Sequence, residues 1–321
     1  MFEIIDYNCN TKLQNMDFSP NDSFLKTELT NRLKKLEKQL DADVMSFSGA
    51  IHEQLSAKVL AVIEDLAKNP KKRKTLYIIL TTTGGSGNAV DIYVNIIRKH
   101  YEIVNFIVPE YAYSAGTLFC MSGDNIFMDY YSVLGPIDPQ VQNKDGRWVA
   151  ALGYLDKINE LIKKAAPTAE NPNGTLTNAE FVILKEFDLA ELRGYEQARD
   201  LTIDLLKKWL VQYKFQNWVK HETTPELLGQ EVTKEQKIER AKEIARILGD
   251  ASFWKSHGRP INMEALAEMK LKIEDFGENE TLKTLIRSYY DFLRDFTNKI
   301  KASLPPQALP QFNFLHTRTF I

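Results

Sequence analysis

Between Asp43 and Pro109 the chain alternates three short apolar runs, DVMSFSG, TLYIILT and EIVNFIVP, with two longer stretches of helical period, HEQLSAKVLAVIEDLAKN and AVDIYVNIIRKH. This alternation constrains the fold more than any other feature. A run that is apolar at nearly every position suits a strand covered on both faces, and each connection is long enough for a crossover helix, whereas a hairpin needs only a few residues. The pattern predicts a mainly parallel sheet with helical crossovers. A helix at AGTLFCMSG and strands at NIFMD and YSVLG continue it.

On either side the character changes. Leu25 to Leu40 (LKTELTNRLKKLEKQL) sets leucines on one side and Lys/Glu on the other, an amphipathic arm suited to docking on the core or on another subunit. After Gly146 helical patterns dominate Ala150 to Lys164, Asn178 to Lys220, Thr233 to Leu248, Met263 to Lys270 and Glu280 to Ala302. The intervening AAPTAENPNGTLT has the composition of a surface loop, and SLPPQALPQFNF near the C-terminus is proline-spaced and reads as extended.

With 321 residues, 44% apolar and 26% charged, the chain has ordinary globular composition. Its 43 acidic and 41 basic residues predict no nucleic-acid or membrane-surface partner. The start has no basic and apolar leader, and no apolar run approaches the roughly 20 residues that span a bilayer, so a cytoplasmic protein without stable membrane insertion is expected. Cys9 and Cys120 form no metal spacing or disulfide framework, and His52, His100, His221, His257 and His316 do not cluster, so neither metal nor cofactor is expected.

Two backbone devices carry chemical meaning. TTTGGSG follows a buried strand and precedes a helix, where glycines let the backbone approach a ligand and present N–H groups. The spacing lacks the lysine of a phosphate loop and the three glycines of a dinucleotide fingerprint. The remaining use is an oxyanion hole, with Ser114 in VPEYAYSAGT at a strand-to-helix junction as nucleophile and the N–H of Ala115 as a second donor. Read from the turn alone, Ser114 is first a helix cap, the commoner fate of such a serine.

TTTGGSGNAV, YAYSAGT and LGPIDPQ, in this order and spacing, resemble the serine dehydrogenase proteinase family, in the Clp peptidase/crotonase superfamily that includes signal peptide peptidase A. The likeness runs from about Leu36 to about Ile273. It implies an α/β fold, a ClpP/crotonase-like ββα spiral with a helical C-terminal region, assembled as a homo-oligomer. On that reading residues 1–40 are a helical arm, 41–275 the catalytic domain, and 276–321 a helix and extended tail. The resemblance implies a serine peptidase acting on peptide or protein substrates, with Ser114 as nucleophile and Gly85 and Ala115 as oxyanion donors.

The general base stays open. A Clp peptidase would place a histidine in YSVLGPIDPQ, whose polar members here are Ser132, Asp138 and Gln140. The family's order of Ser, Asp and His implies His257 in WKSHGRPINMEAL, with Asp138 orienting its ring. The dyad of signal peptide peptidase A implies Lys164, or Lys163 beside it. Asp124 and Asp188 are weaker acid candidates, read as a turn residue and a helical surface residue. Two rivals use the same fold otherwise: a crotonase-like acyl-CoA enzyme, which has no need of an activated serine, and a non-catalytic oligomeric scaffold.

Overall fold

The computed structural model describes residues 20–137, 140–142, 148–167, 174–185, 187–221, 224–254, 256 and 258–320. They divide between two compact units, one made of the described residues up to Leu134 together with those from Asn262 onward, the other of those within Gly135–Ile261.

The first unit is built on the predicted parallel strands. β1 (Asp43–Gly49), β2 (Thr75–Thr81), β3 (Ile103–Ile107) and β5 (Asn125–Met128) lie side by side in parallel, with Ile78 opposite Met45 and Phe106. The two-residue β9 (Glu274–Asp275) adds parallel to β5, and β10 (Asn313–His316) adds antiparallel to β1. A separate short parallel ladder pairs β4 (Tyr111–Ala112) with β6 (Val133–Leu134).

Both faces of the sheet are covered, which is why its strands read as continuous apolar runs. On one face lie α2 (Ser56–Lys68), α3 (Gly87–His100) and α4 (Ala115–Cys120). α2 buries Val59, Val62, Ile63 and Leu66, the three-and-four spacing of a single helical stripe. Phe47 and Phe106 of the sheet meet Tyr93 of α3 and Phe119 of α4 ring to ring. The next residue of each strand turns to the opposite face, so Val44, Ile79 and Ile107 join a second cluster. That cluster is completed by Leu29, Leu33 and Leu36 of α1 (Pro20–Leu40) and by Ile286, Tyr289, Leu293 and Phe296 of α11 (Glu280–Ala302). The predicted arm thus packs against the last long helix, each fully buried leucine contributing about 1.5–3 kcal/mol.

His316 closes the β10 edge. Its ring is buried and stacks on Tyr289, with Nδ1 2.8 Å from the Tyr289 hydroxyl and Nε2 3.3 Å from Thr30 Oγ1. Burial pushes its pKa from 6.5 down to about 3. Between those values the unfolded chain holds a proton that the fold rejects, so this contribution is complete above pH 6.5 and is lost as pH falls toward 3. The limiting slope is about 1.4 kcal/mol per pH unit. Urea melts of His316→Gln are expected to show a flatter acid limb than the parent; equal slopes would mean that the folded state takes up the proton.

In the second unit, β7 (Gln140–Gln142) and β8 (Trp148–Ala150) form an antiparallel ladder that leads into α5 (Ala151–Ala165). The single helical pattern expected over Asn178 to Lys220 is divided. α6 (Asn178–Lys185) ends before Asp188, whose carboxylate caps α7 (Leu189–Trp209) by accepting from the Ala190 and Glu191 amides. Asp188 is therefore a helix cap and not a helix-surface residue. α7 continues into a π-helical turn at Leu210–Lys214, and α8 (Lys234–Leu248) starts from a Thr233/Gln236 capping box. The expected extended tail contains a 3₁₀ turn at Pro306–Gln311 before β10. The short helices α9 (Ala251–Trp254) and α10 (Met263–Glu268) complete the order. Among the described residues, no helix is long and apolar enough to cross a membrane.

Candidate active site

The glycine loop and the serine turn are stitched together by Thr82, the residue after β2. Its N–H donates to the Tyr111 carbonyl (3.1 Å), its carbonyl accepts from the Tyr113 N–H (3.0 Å), and its Oγ1 accepts from the Gly84 N–H (3.0 Å). Two turns far apart in sequence become one surface. Gly116 completes the fit, since a Cβ there would stand 2.3 Å from Thr82 Cγ2.

The glycine pair adopts backbone that other residues rarely do, with φ +109° at Gly84 and +142° at Gly85. A Cβ on Gly84 would lie 2.8 Å from Ser114 Cβ, and one on Gly85 would lie 2.1 Å from the Ile51 carbonyl oxygen. Ile51 holds the loop from outside: its N–H donates to the Gly84 carbonyl and its carbonyl accepts from the Ser86 N–H, each at 2.9 Å. Because the bonds flanking Gly85 both face Ile51, the N–H of Gly85 turns the other way. Among the described residues, neither this N–H nor that of Ala115, the first residue of α4, has an acceptor.

Ser114 stands directly before α4 yet does not cap it. A capping serine has extended backbone and accepts from an amide two or three residues on. Ser114 has φ 52° and ψ −116° and makes no capping bond; its Oγ has no partner among the described residues. The cap reading, favoured on the turn alone, is replaced by a half-buried hydroxyl on strained backbone, a conformation that costs about 1–3 kcal/mol and persists only when its surroundings impose it. Tyr111 and Tyr113, stacked at 5.6 Å between ring centroids, flank the turn.

The other candidates are distributed as follows. Asp138 and His257 lie outside the described residues. Lys164 projects from α5 into solvent and its amine donates to Glu180 at 2.6 Å. That bond, with those from the N–H and hydroxyl of Thr177, holds the Glu180 carboxyl down to about 2. Ser132 is buried and bonded to Asp129. Asp124 lies in the bend before β5 as expected, but its carboxylate accepts from Arg98 and from the Val104 N–H, each at 2.8 Å, in a buried ion pair. Among the described residues, no group of three or more His, Cys, Asp or Glu converges as a metal site.

A cleft of about 340 Å³, lined by Ile137, Leu152, Asp156, Arg199 and Arg246 among others, lies wholly within Gly135–Ile261 and contains none of the residues of the serine turn. Strained backbone and donors without an acceptor among the described residues, not cavity size, single out the serine turn as the candidate site. Ile51, Thr82 and Gly116 escaped the sequence reading. Only the spacing of TTTGG and YAYSAG hinted at Thr82, and nothing local marks Ile51.

Residues 48–164 match the family of ClpP-like SDH-type serine proteinases. The chain is 27% identical to the uncharacterized protein MJ0137 of Methanocaldococcus jannaschii over 68% of its own length and 59% of that protein's. It is 36% identical to the uncharacterized protein MJ1495 of the same organism over 20% of its own length and 22% of the other's. The chain thus spans less than two thirds of the length of these curated relatives. Among solved structures it is similar to a mutant of the 1510-N membrane-bound stomatin-specific protease, with 20% identity, a TM-score of 0.30, and 47% of this chain and 82% of that one covered.

Proposed function

We propose that this chain, whose residues 48–164 match the family of ClpP-like SDH-type serine proteinases, is a serine peptidase that cleaves peptide or protein substrates through an acyl-enzyme on Ser114. The observation that carries this reading is the strained, uncapped Ser114 beside two amide donors that have no acceptor among the described residues. Ser114 Oγ attacks the scissile carbonyl, and the N–H groups of Gly85 and Ala115 hold the oxygen as it gains charge. Enolate chemistry on a thioester has no use for the serine, which favours the hydrolase over the acyl-CoA rival.

For the base we assign His257, with Asp138 orienting its ring. A lysine acts as base only when burial lowers its pKa, whereas the Lys164 side chain is 44% exposed and bonded to a carboxylate. The enzyme is read as a cytoplasmic homo-oligomer that needs no cofactor. The test is labelling by a fluorophosphonate. We expect a single adduct on Ser114, a labelling rate about 10²–10⁴-fold lower in His257→Ala, and little change in Lys164→Ala. A large loss in Lys164→Ala with His257→Ala unaffected would move the enzyme to the dyad class, and no adduct on Ser114 would remove the peptidase reading.

A further inference from the structure

We propose that Glu53 is a positioning residue for the oxyanion donor of Gly85, acting through the hydroxyl of Ser86. The inference rests on the peptidase reading above. An oxyanion donor is useful only if it is already aimed when charge develops, and glycine has the greatest backbone freedom to lose in being aimed. Gly84 and Gly85 therefore need restraint from their neighbours. It comes from residues 51–53, each tied differently: Ile51 by its main-chain bonds to Gly84 and Ser86, His52 by its carbonyl, which accepts from Tyr93 Oη of α3 at 2.6 Å, and Glu53 by its side chain.

The Glu53 tie meets the loop next to the donor. Ser86 Oγ donates to the Glu53 carboxylate while accepting from the Ala89 N–H at 3.3 Å, so one hydroxyl caps α3 and anchors the loop. Each bond polarises the other, and the charged acceptor strengthens the first. Ser86 N–H is meanwhile held by Ile51. The residue after Gly85 is thus held by its amide and by its side chain, and the Gly85 N–H between these anchors keeps its direction. Without Glu53 the hydroxyl keeps only its capping bond from the Ala89 N–H, and one anchor is lost. Glu53 is exposed and is not part of the buried core, so its loss leaves the core intact.

Loss of a whole oxyanion donor slows catalysis by about 10²–10³-fold, which sets the ceiling for loosening one. Glu53→Ala is expected to slow fluorophosphonate labelling of Ser114 and to lower kcat by about tenfold, with KM nearly unchanged, because the donor acts on charge that appears only in the transition state. Glu53→Gln, whose side-chain carbonyl still accepts from Ser86, is expected to recover most of the rate. Glu53→Ala and Ser86→Ala together are expected to be no slower than Ser86→Ala alone, since both break one link. Hydrogen–deuterium exchange of the amides of residues 82–87, read below each variant's melting temperature, is expected to rise in Glu53→Ala and not in Glu53→Gln. If the parent is labelled at Ser114 but Glu53→Ala labels at the parent rate, or Glu53→Gln is as slow as Glu53→Ala, the positioning role is overturned and the peptidase reading stands. If the parent is not labelled at Ser114, both fall.

Discussion

Ser114→Ala is expected to lower peptide hydrolysis by about 10⁴–10⁶-fold, the loss that follows removal of a nucleophile when the oxyanion donors remain. Its companion, Ser114→Gly, is expected to be as inactive but more stable than Ser114→Ala by about 1–3 kcal/mol, because glycine occupies the observed φ of 52° and ψ of −116° without the Cβ clash. Alanine keeps the Cβ and hence the strain. The pair separates two claims that a single variant confounds. Hydrolysis by Ser114→Ala near the parent rate would dismiss Ser114 as nucleophile. Equal denaturant midpoints for the glycine and alanine variants would show that the turn is relaxed. The expected combination, an inactive and stabilised glycine variant, has a simple physical reading: the surrounding fold, through Gly84 and the Thr82 ladder, holds one residue in poor backbone geometry so that its hydroxyl stands clear of the helix it precedes.

Arg318→Ala is expected to be the most damaging surface-to-core change away from the serine turn, costing about 3–5 kcal/mol and lowering the melting temperature by roughly 10 °C. Arg318 donates to Glu37 at 2.6 Å and to Asp43 at 2.7 Å, and Asp43 is fully buried at the start of β1. Asp43 also accepts from the Tyr101 hydroxyl at 2.9 Å and from the Arg73 N–H at 3.2 Å. Removing the guanidinium leaves two buried carboxylates facing each other, with the Arg73 guanidinium, 3.9 Å from Asp43, as the remaining cation. Burial already raises the Glu37 pKa against the pull of Arg318, so the unpaired Glu37 carboxyl is expected to take up a proton in the variant. Guanidinium chloride titrations of Arg318→Ala, with Arg318→Lys as the partial replacement, test this. A midpoint equal to the parent's for Arg318→Ala would mean that water reaches the pair and that the tail after β10 is held by its strand alone.

Legibility divides along physical lines. β1, β2, β3 and the helices α2 and α3 were readable because the burial of a strand between two helical layers writes itself locally, as apolar runs and three-and-four stripes. The edge strands were not. β10 is four residues after a proline-rich turn, and β9 only two, too short to carry a period. Asp124 and Asp188 were both identified as acidic residues in the right segments, but whether such a carboxylate meets Arg98 in a buried pair or caps α7 depends on what folds against it. The same holds for the serine turn. The residue types and their order in TTTGG and YAYSAG resemble a known family, while the absence of a capping bond at Ser114 and the clamp of Ile51 on Gly85 have no local signature.

By itself the amino-acid sequence determined the parallel α/β core and the two turns on which chemistry is proposed, because periodicity and glycine placement act over a few residues. Only the tertiary structure decided that Ser114 is strained rather than capping, that Ile51 and Thr82 hold the loop, and that Arg318 closes the start of β1. Those features join segments tens to hundreds of residues apart, and their energies come from desolvation and main-chain pairing that exist only once the sheet has brought the segments together.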